Sequence, residues 1–525
     1  MSSAQYLLPA PVVFPGDEPF WQAASQGRLL IKHCPNCNRS HFYPRQHCPL
    51  CGHHETHWRE ASGRAKIYSF SIMGRAARPT APAIVELEEG VRLSTVVVDA
   101  DLHALRIDDP VTLRFLPTEQ GMQALAFTTP AAEQARRYTQ AALQALGSAP
   151  NDGVPAFKEA AVIGAGNMGT GIALALLGAG LRVLLVDTAE ASLAAGRQRI
   201  EQALGKDLER GRLDAATHAA RRALLHTSTA LQDVACADVV IEAVFEDLAL
   251  KQQLFAALDA VAAPHALLAT NTSTLDVGAI AAATRRPGSV LGLHFFNPAN
   301  VMRLIEVVRA PQTSPQALQQ ARGLARQLRK VAVVVGICDG FVGNRLMIRR
   351  EREAARLLLE GALPAQIDRV QREFGLPMGT FERGRTGQRA GKGYYRYEPG
   401  KRAPIVDPEV TALIEQASRE AGIARRTIGD EEIRDRLILP MVNEGAKLVE
   451  EGIVERASDI DLVWQFGYGW PDWKGGPMHH ADTLGLATVV KRLQSLQAAH
   501  GESFEPAALL VRLAQSGQSL TQTTS

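Results

Sequence analysis

Polar and apolar positions change their period several times along the chain. Between residues 59 and 130 the segments AKIYSFSI, PAIVELEE, RLSTVVVDA and VTLRFLP alternate and are separated by turn-forming residues. That period suits strands with one buried face, and the segment lengths predict a small antiparallel β-barrel. From Ala131 the spacing lengthens: AAEQARRYTQAALQAL reads as a helix, and the Gly/Ser/Pro/Asn stretch GSAPNDGVP after it reads as a linker. Then come short apolar runs, Ala160–Ile163, Val183–Val186, Val239–Ile241, Ala266–Ala269 and Leu291–Leu293, interspersed with helical patterns. Buried strands alternating with helices predict an α/β domain. Past Asp339 the segment NRLMIRREREAARLLLEGAL carries apolar residues at i, i+3, i+4 and i+7, and the rest of the chain reads as all-α. The expected organisation is a helix and cysteine-rich segment (1–58), a barrel (59–130), a helix and linker (131–155), an α/β domain (156–338) and two helical domains (339–404 and 405–525). The helical part repeats itself: DGFVGNRLM…LLLEGALPAQIDRVQREFGLPMG parallels LILPMVNEGAKLVEEGIVERASDIDLVWQFGYGWP.

Composition narrows the function. A chain of 525 residues is too long for one core, which rarely exceeds ~250–300 residues. The net charge of +2 is well mixed, with no basic-aromatic stripe, so nucleic acid is not an expected partner. The most apolar stretch, Ile172 to Val186, is interrupted by glycines and Arg182, which argues against a membrane span. The first fifteen residues lack the positive start of an export signal. Four of the six cysteines fall in one cluster, the usage of a metal site in a reducing compartment, so a cytoplasmic location is expected.

Two motifs carry chemistry on their own. Gly164-x-Gly166-x-x-Gly169, with Asn167 and Met168 inside it, follows one apolar run, and Asp187 ends the next. Strand, glycine turn, helix, strand and acid within about thirty residues form a Rossmann dinucleotide-binding unit. The turn holds a pyrophosphate on a helix N-terminus. Asp187 accepts from the adenosine ribose and repels a 2′-phosphate, which selects NAD over NADP. Cys34-x-x-Cys37 and Cys48-x-x-Cys51 supply four thiolates, the closed set of structural zinc.

The segment Phe20–Pro117, through FWQAASQGRLL, YPRQHCPLCG, SGRAKIYSFS and LRIDDPVTLRF, resembles the small zinc-ribbon plus OB-fold proteins associated with acyl-CoA enzymes. The resemblance implies CoA-thioester handling, or docking to a thiolase-type partner. From Phe157 to about Gln515 the chain resembles the 3-hydroxyacyl-CoA dehydrogenases, particularly the dehydrogenase portion of multifunctional fatty-acid oxidation enzymes. The motifs are GAGNMG, ADVVIEAVFEDLALK, NTSTL, GLHFFNPANVMRLIEVV, DGFVGNRL and GQRAGKGYYRY. The resemblance implies NAD-dependent, reversible oxidation of a 3-hydroxyacyl-CoA in a β-oxidation-like pathway. His294 then takes the hydroxyl proton, a task suited to an imidazole, and Glu306 orients it. On spacing alone His294 could equally be a core histidine. Ser273 bonds the 3-oxygen, and Asn344 lies near the thioester carbonyl. Glu246 and Lys251 sit by the nicotinamide ribose and substrate, with Asn297 and Arg389 near the cofactor. Lys206, Arg210 and Arg212 are candidates for the CoA phosphates or a solvated basic face. One departure stands out: MGTF (378–381) runs almost directly into ERGRTGQRAGKGYYRY, so helices that shape the family's acyl pocket and dimer contact are expected to be missing. A non-catalytic acyl-CoA-binding scaffold is the alternative, and an oligomer is possible.

Overall fold

The computed structural model describes residues 10–73, 80–102, 104–118, 121–147, 155–382, 393–398 and 404–522. The N-terminal segment opens with the helix Glu18–Ser25 and a three-stranded antiparallel sheet in which Leu30–Cys34 lies between Arg39–His41 and His57–Glu60. Next comes a closed barrel of Arg64–Phe70, Ala81–Leu87, Arg92–Val97, Gln123–Thr128 and Pro110–Pro117, in that order around the wall. The second of these strands buries Ala81, Ala83, Val85 and Leu87 in strict alternation, as the pattern predicted. Gln123–Thr128 was not among the expected strands. It closes the barrel by pairing antiparallel with Pro110–Pro117 and parallel with Arg92–Val97, and its QALAFT pattern does not alternate.

The helix expected from Ala131 spans Pro130–Gly147 and packs beyond its own segment. Its Ala142 belongs to the core of the C-terminal helices. Tyr138 Oη donates to Asp461 at 2.7 Å, and Gln465 donates to Thr139 Oγ1 at 3.0 Å. Residues 148–154 of the expected linker GSAPNDGVP lie outside the described residues.

The α/β domain has an eight-stranded sheet in the order Leu225–Ser228, Arg182–Val186, Glu159–Ile163, Val239–Glu242, Leu267–Thr270, Val290–Phe295, Leu304–Val308, Val331–Val335. The first six strands are parallel and the last two run against them. The chain leaves Glu159–Ile163 toward one edge and returns on its other side with Val239–Glu242. Ligands of open α/β sheets bind at such a switch point, beyond the strands' carboxyl ends. The central strands are buried throughout, which is why they read as continuous apolar runs.

Among the described residues the C-terminal part is helical, apart from two short paired strands, Tyr395–Arg396 and Ile405–Val406. Helix Gly343–Glu360 packs on helix Asp430–Glu450. Between them Arg436, fully buried, is held by Glu353 and Glu360. The internal repeat is visible in detail. In the first copy Asp368 accepts from Phe381 N at 2.9 Å and Tyr395 Oη at 2.6 Å. In the second, Asp461 accepts from Met478 N at 2.7 Å, His479 N at 3.0 Å and Tyr138 Oη. A Cβ at Gly379 or Gly476 would lie 2.2 or 2.3 Å from the respective aspartate, so each copy needs glycine there.

Candidate active site

The site begins with a register. Val290–Phe295 and Leu304–Val308 pair antiparallel, with His294 opposite Glu306. Cross-strand neighbours on one face meet, and here His294 Nδ1 lies 2.7 Å from Glu306 Oε2, both side chains being almost wholly buried. The second carboxylate oxygen accepts from Gly343 N at 3.0 Å, at the first turn of helix Gly343–Glu360. Two donors and a helix N-terminus therefore support the buried charge of Glu306. With Nδ1–H committed to a carboxylate, Nε2 is the nitrogen available to a reacting proton. The rings of Phe296 and Phe341 flank the imidazole at 4.5 and 5.8 Å.

The glycine turn has the form the motif implied. Gly164 has φ +101°, and a Cβ there would meet Ala243 O at 2.8 Å. A Cβ at Gly169 would lie 1.8 Å from Gly164 O, so this glycine lets the helix Asn167–Gly178 seat on the turn. At Gly166 a Cβ would meet no protein atom within 4 Å: this glycine keeps space open at a helix N-terminus, which fits a pyrophosphate. Asn167 and Met168 begin that helix. Asp187 accepts from Ala165 N at 2.9 Å and Ala189 N at 3.1 Å, which fixes the carboxylate beside the turn with lone pairs left for ribose hydroxyls.

Glu246 gathers the NTSTL loop. It accepts from Thr272 Oγ1 at 2.6 Å, Ser273 N at 2.8 Å and Ser273 Oγ at 3.3 Å. Burial raises its pKa, but the Thr272 and Ser273 bonds and the Lys251 charge outweigh that and hold the carboxyl below its usual range. Lys251 was expected by the nicotinamide ribose and substrate. Its Nζ turns inward, 2.7 and 2.9 Å from the two oxygens of Glu242, and the side chain is only 1% exposed. It lies 3.3 Å from Glu246. Glu242, which also accepts from Thr270, was missed because it reads as the end of an apolar strand. Asn271 was missed as well: its Oδ1 accepts from Phe295 N at 2.8 Å and ties the serine loop to the strand of His294.

Asn297 is exposed three residues beyond His294, and Asn344 follows Gly343 in the first turn of its helix. Lys206 and Arg210 are exposed at the end of helix Glu190–Glu209, and Arg212 pairs with Asp207. Arg389 and the GQRAGKG element lie outside the described residues.

In the N-terminal segment the sulfurs of Cys34, Cys37, Cys48 and Cys51 all lie within 4.8 Å of one another, and the Cys34–Cys51 and Cys37–Cys48 pairs are 3.7 Å apart. A tetrahedral zinc with ~2.3 Å bonds needs sulfurs about 3.8 Å apart, so the four thiolates fit a structural zinc with no open position. The neighbouring histidines are not in this cluster; His41 Nδ1 meets Tyr43 O instead.

A doubly wound sheet with a glycine turn, a histidine–carboxylate pair on its sixth and seventh strands and a helical domain closing over that pair defines an NAD-binding two-domain dehydrogenase fold. Residues 159–338 match the 3-hydroxyacyl-CoA dehydrogenase NAD binding domain, and 340–386 with 433–525 match the C-terminal domain of the same family. Residues 21–56 match the rubredoxin-like zinc ribbon domain of ChsH2, and 58–116 its C-terminal OB-fold domain. The chain belongs to the 3-hydroxyacyl-CoA dehydrogenase family, with a ChsH2-type zinc ribbon and OB-fold at its N-terminal side. It is 38% identical over 410 residues to the peroxisomal bifunctional enzyme of Danio rerio, and 35% over 406 residues to that of Homo sapiens. These matches cover 69% and 68% of this chain but 56% of either relative, so the chain spans about half the length of the curated relatives it matches. The 3-hydroxybutyryl-CoA dehydrogenase from Escherichia coli K12 superposes with a TM-score of 0.61 at 26% identity, over 69% of this chain and 100% of that one. The dehydrogenase part of multifunctional enzyme 1 from C. elegans gives 0.53 at 28% identity, over 73% and 96%. Among the described residues no helix is long and apolar enough to cross a membrane.

Proposed function

We propose that this protein oxidises a 3-hydroxyacyl-CoA reversibly to the 3-oxoacyl-CoA, with NAD as acceptor, in a β-oxidation-like sequence. The observation that carries the reading is the buried His294–Glu306 pair, whose geometry leaves Nε2 as a base. Bound NAD supplies the hydride acceptor for C3. His294 Nε2 takes the C3 hydroxyl proton, and Glu306 offsets the positive charge that the ring then carries. Ser273 donates to the 3-oxygen, and Asn344 donates to the thioester carbonyl. Gly164, Gly166 and Gly169 admit the pyrophosphate, Asp187 takes the ribose hydroxyls, and Glu246 and Asn297 face the nicotinamide end. Lys206 and Arg210 are assigned to CoA phosphates, and Arg389 to the cofactor. The domain limits we use are 1–58, 59–130, 131–155, 156–338, 339–404 and 405–525. The zinc-ribbon/OB module docks a thiolase-type enzyme, and the protein works in the cytoplasm.

One observation favours a second reading, a non-catalytic acyl-CoA-binding scaffold. The match to the family's C-terminal domain breaks off at residue 386 and resumes at 433. Absorbance at 340 nm with a panel of 3-hydroxyacyl-CoA thioesters and NAD decides between them. The dehydrogenase reading expects turnover that His294→Ala lowers by roughly 10²–10⁴-fold. The scaffold reading expects no turnover with any thioester, and undiminished acyl-CoA binding in the variant.

A further inference from the structure

Asn344 has a partner that no motif pointed to. Tyr468, 124 residues further along the chain, places its hydroxyl 2.7 Å from Asn344 Oδ1. It stands at the end of a π-helical turn, Trp464–Tyr468, in the second helical repeat. Such turns interrupt the i→i−4 ladder and recur at functional sites.

Several residues exist in the form they do to let this tyrosine in. A Cβ on Gly343 would sit 2.3–2.7 Å from the Tyr468 ring, so the residue before Asn344 is glycine where the ring lies. Gly467 passes so close to Leu304 that a Cβ would be 2.5 Å from its Cδ2. Gly469, at φ +74°, ends the turn against Pro377. Trp464, fully buried, stacks on the phenol at 4.5 Å and 22°, and Phe296 meets it edge-on at 5.4 Å. Phe296 is also the ring beside His294. Trp464 on one face and Phe296 set edge-on thus hold the phenol, and its hydroxyl reaches Asn344 Oδ1.

We propose that Tyr468 is a positioning residue of the dehydrogenase site: it holds Oδ1 of Asn344 so that the amide presents Nδ2–H to the thioester carbonyl. A phenol donates much more readily than it accepts, so the bond selects one of the two amide orientations. The inference rests on the reading of Asn344 as the thioester donor. It makes the second helical repeat a part of the catalytic site of the first, through one side chain. A tyrosine that only filled space between the repeats would leave the amide orientation, and the thioester, untouched.

The test uses the full-length protein as wild type, Tyr468→Phe, Asn344→Ala and the double variant. Two ketone substrates are compared with NADH: acetoacetyl-CoA, and S-(3-oxobutyl)-CoA, in which a methylene replaces the thioester carbonyl. Tyr468→Phe is expected to lower kcat/KM on acetoacetyl-CoA about threefold to tenfold, the worth of one neutral hydrogen bond. NADH affinity, which also reports folding, is expected to stay as in wild type. The loss should vanish on the thioether analogue and in the Asn344→Ala background, because the two residues act as one unit. Wild-type rates for Tyr468→Phe beside a slowed Asn344→Ala overturn this inference alone. So does a loss that is equal on both substrates or persists without Asn344, which is the mark of packing only. A silent Asn344→Ala fails the Asn344 assignment beneath it, and no wild-type turnover fails the dehydrogenase reading itself.

Discussion

Glu306→Gln is nearly isosteric, and the structure says what it should do. The carboxylate has two acceptor oxygens and two donors to serve, Gly343 N–H at 3.0 Å and His294 Nδ1–H at 2.7 Å. Glutamine brings one acceptor and one donor to the same buried place. If its oxygen turns to His294, the amide N–H faces Gly343 N–H, and a buried donor is left unmet at about 1–3 kcal/mol. If its oxygen stays on Gly343, its NH₂ faces Nδ1, which can accept. The second arrangement satisfies every group and is the one expected. It also moves the imidazole proton to Nε2, the nitrogen that has to take a proton from substrate. The variant therefore holds the wrong tautomer and cannot offset an imidazolium, so turnover should fall by most of the general-base contribution, roughly 10²–10⁴-fold. The assay is NADH formation at 340 nm from 3-hydroxybutyryl-CoA and NAD, with NADH affinity measured by fluorescence. Affinity should hardly change, since the glycine turn is on other strands. His294→Ala/Glu306→Gln should be little slower than His294→Ala alone. A Glu306→Gln enzyme within tenfold of wild type would refute the tautomer argument.

Zinc should be present at one per chain, and Cys34→Ser should abolish it by elemental analysis while NADH affinity survives; unchanged zinc would mean other ligands. Asp187 should make the enzyme slow with NADPH, and equal turnover with NADH and NADPH would sink its assigned role. Tyr138→Phe removes a donor from buried Asp461, whose pKa burial drives well above the carboxyl range. Urea unfolding should show a loss of about 1–3 kcal/mol with zinc content unchanged, and equal midpoints would mean the helix Pro130–Gly147 is only tethered. Burial lowers Lys330, which donates to the Ala299 and Met302 carbonyls, to about 8. The unfolded chain then holds the extra proton up to about pH 10.4, so this residue's contribution to stability rises between pH 8 and 10. Lys330→Met should flatten that part of the Tm–pH curve, and an identical slope would count against the shift.

The sequence revealed what has a local signature. The glycine turn is legible because each glycine answers to a backbone constraint; the pairing of His294 with Glu306 came from the family resemblance, and the antiparallel register that joins them from the structure. Long-range partners were hidden. Nothing in ADVVIEAVFED says that Glu242 turns into the core to claim Lys251. The helix Pro130–Gly147 shows its apolar face in its period, but period does not say which core receives that face. Gln123–Thr128 lacks alternation because its final three residues are all buried where the barrel closes.

The two copies of the helical repeat also explain why the N-terminal module is joined to the rest and not merely linked. Each copy buries an aspartate over a glycine and satisfies it with a tyrosine hydroxyl. In the first the tyrosine is its own, Tyr395; in the second it is Tyr138, from the helix that follows the barrel. Lys474, beside that second copy, pairs with Asp101 of the N-terminal module at 3.6 Å. The helix Ala457–Val463 carries Asp461 and runs directly into the turn that ends at Tyr468, whose hydroxyl donates to Asn344. Contacts thus continue from the barrel to the catalytic pair's neighbourhood. Signalling along such a line would need an element with two arrangements. Here Asp461 and Trp464 are buried and Gly467 and Gly476 leave no room for a side chain, while the Lys474–Asp101 pair is partly exposed. That construction favours one arrangement of the second repeat beside Asn344.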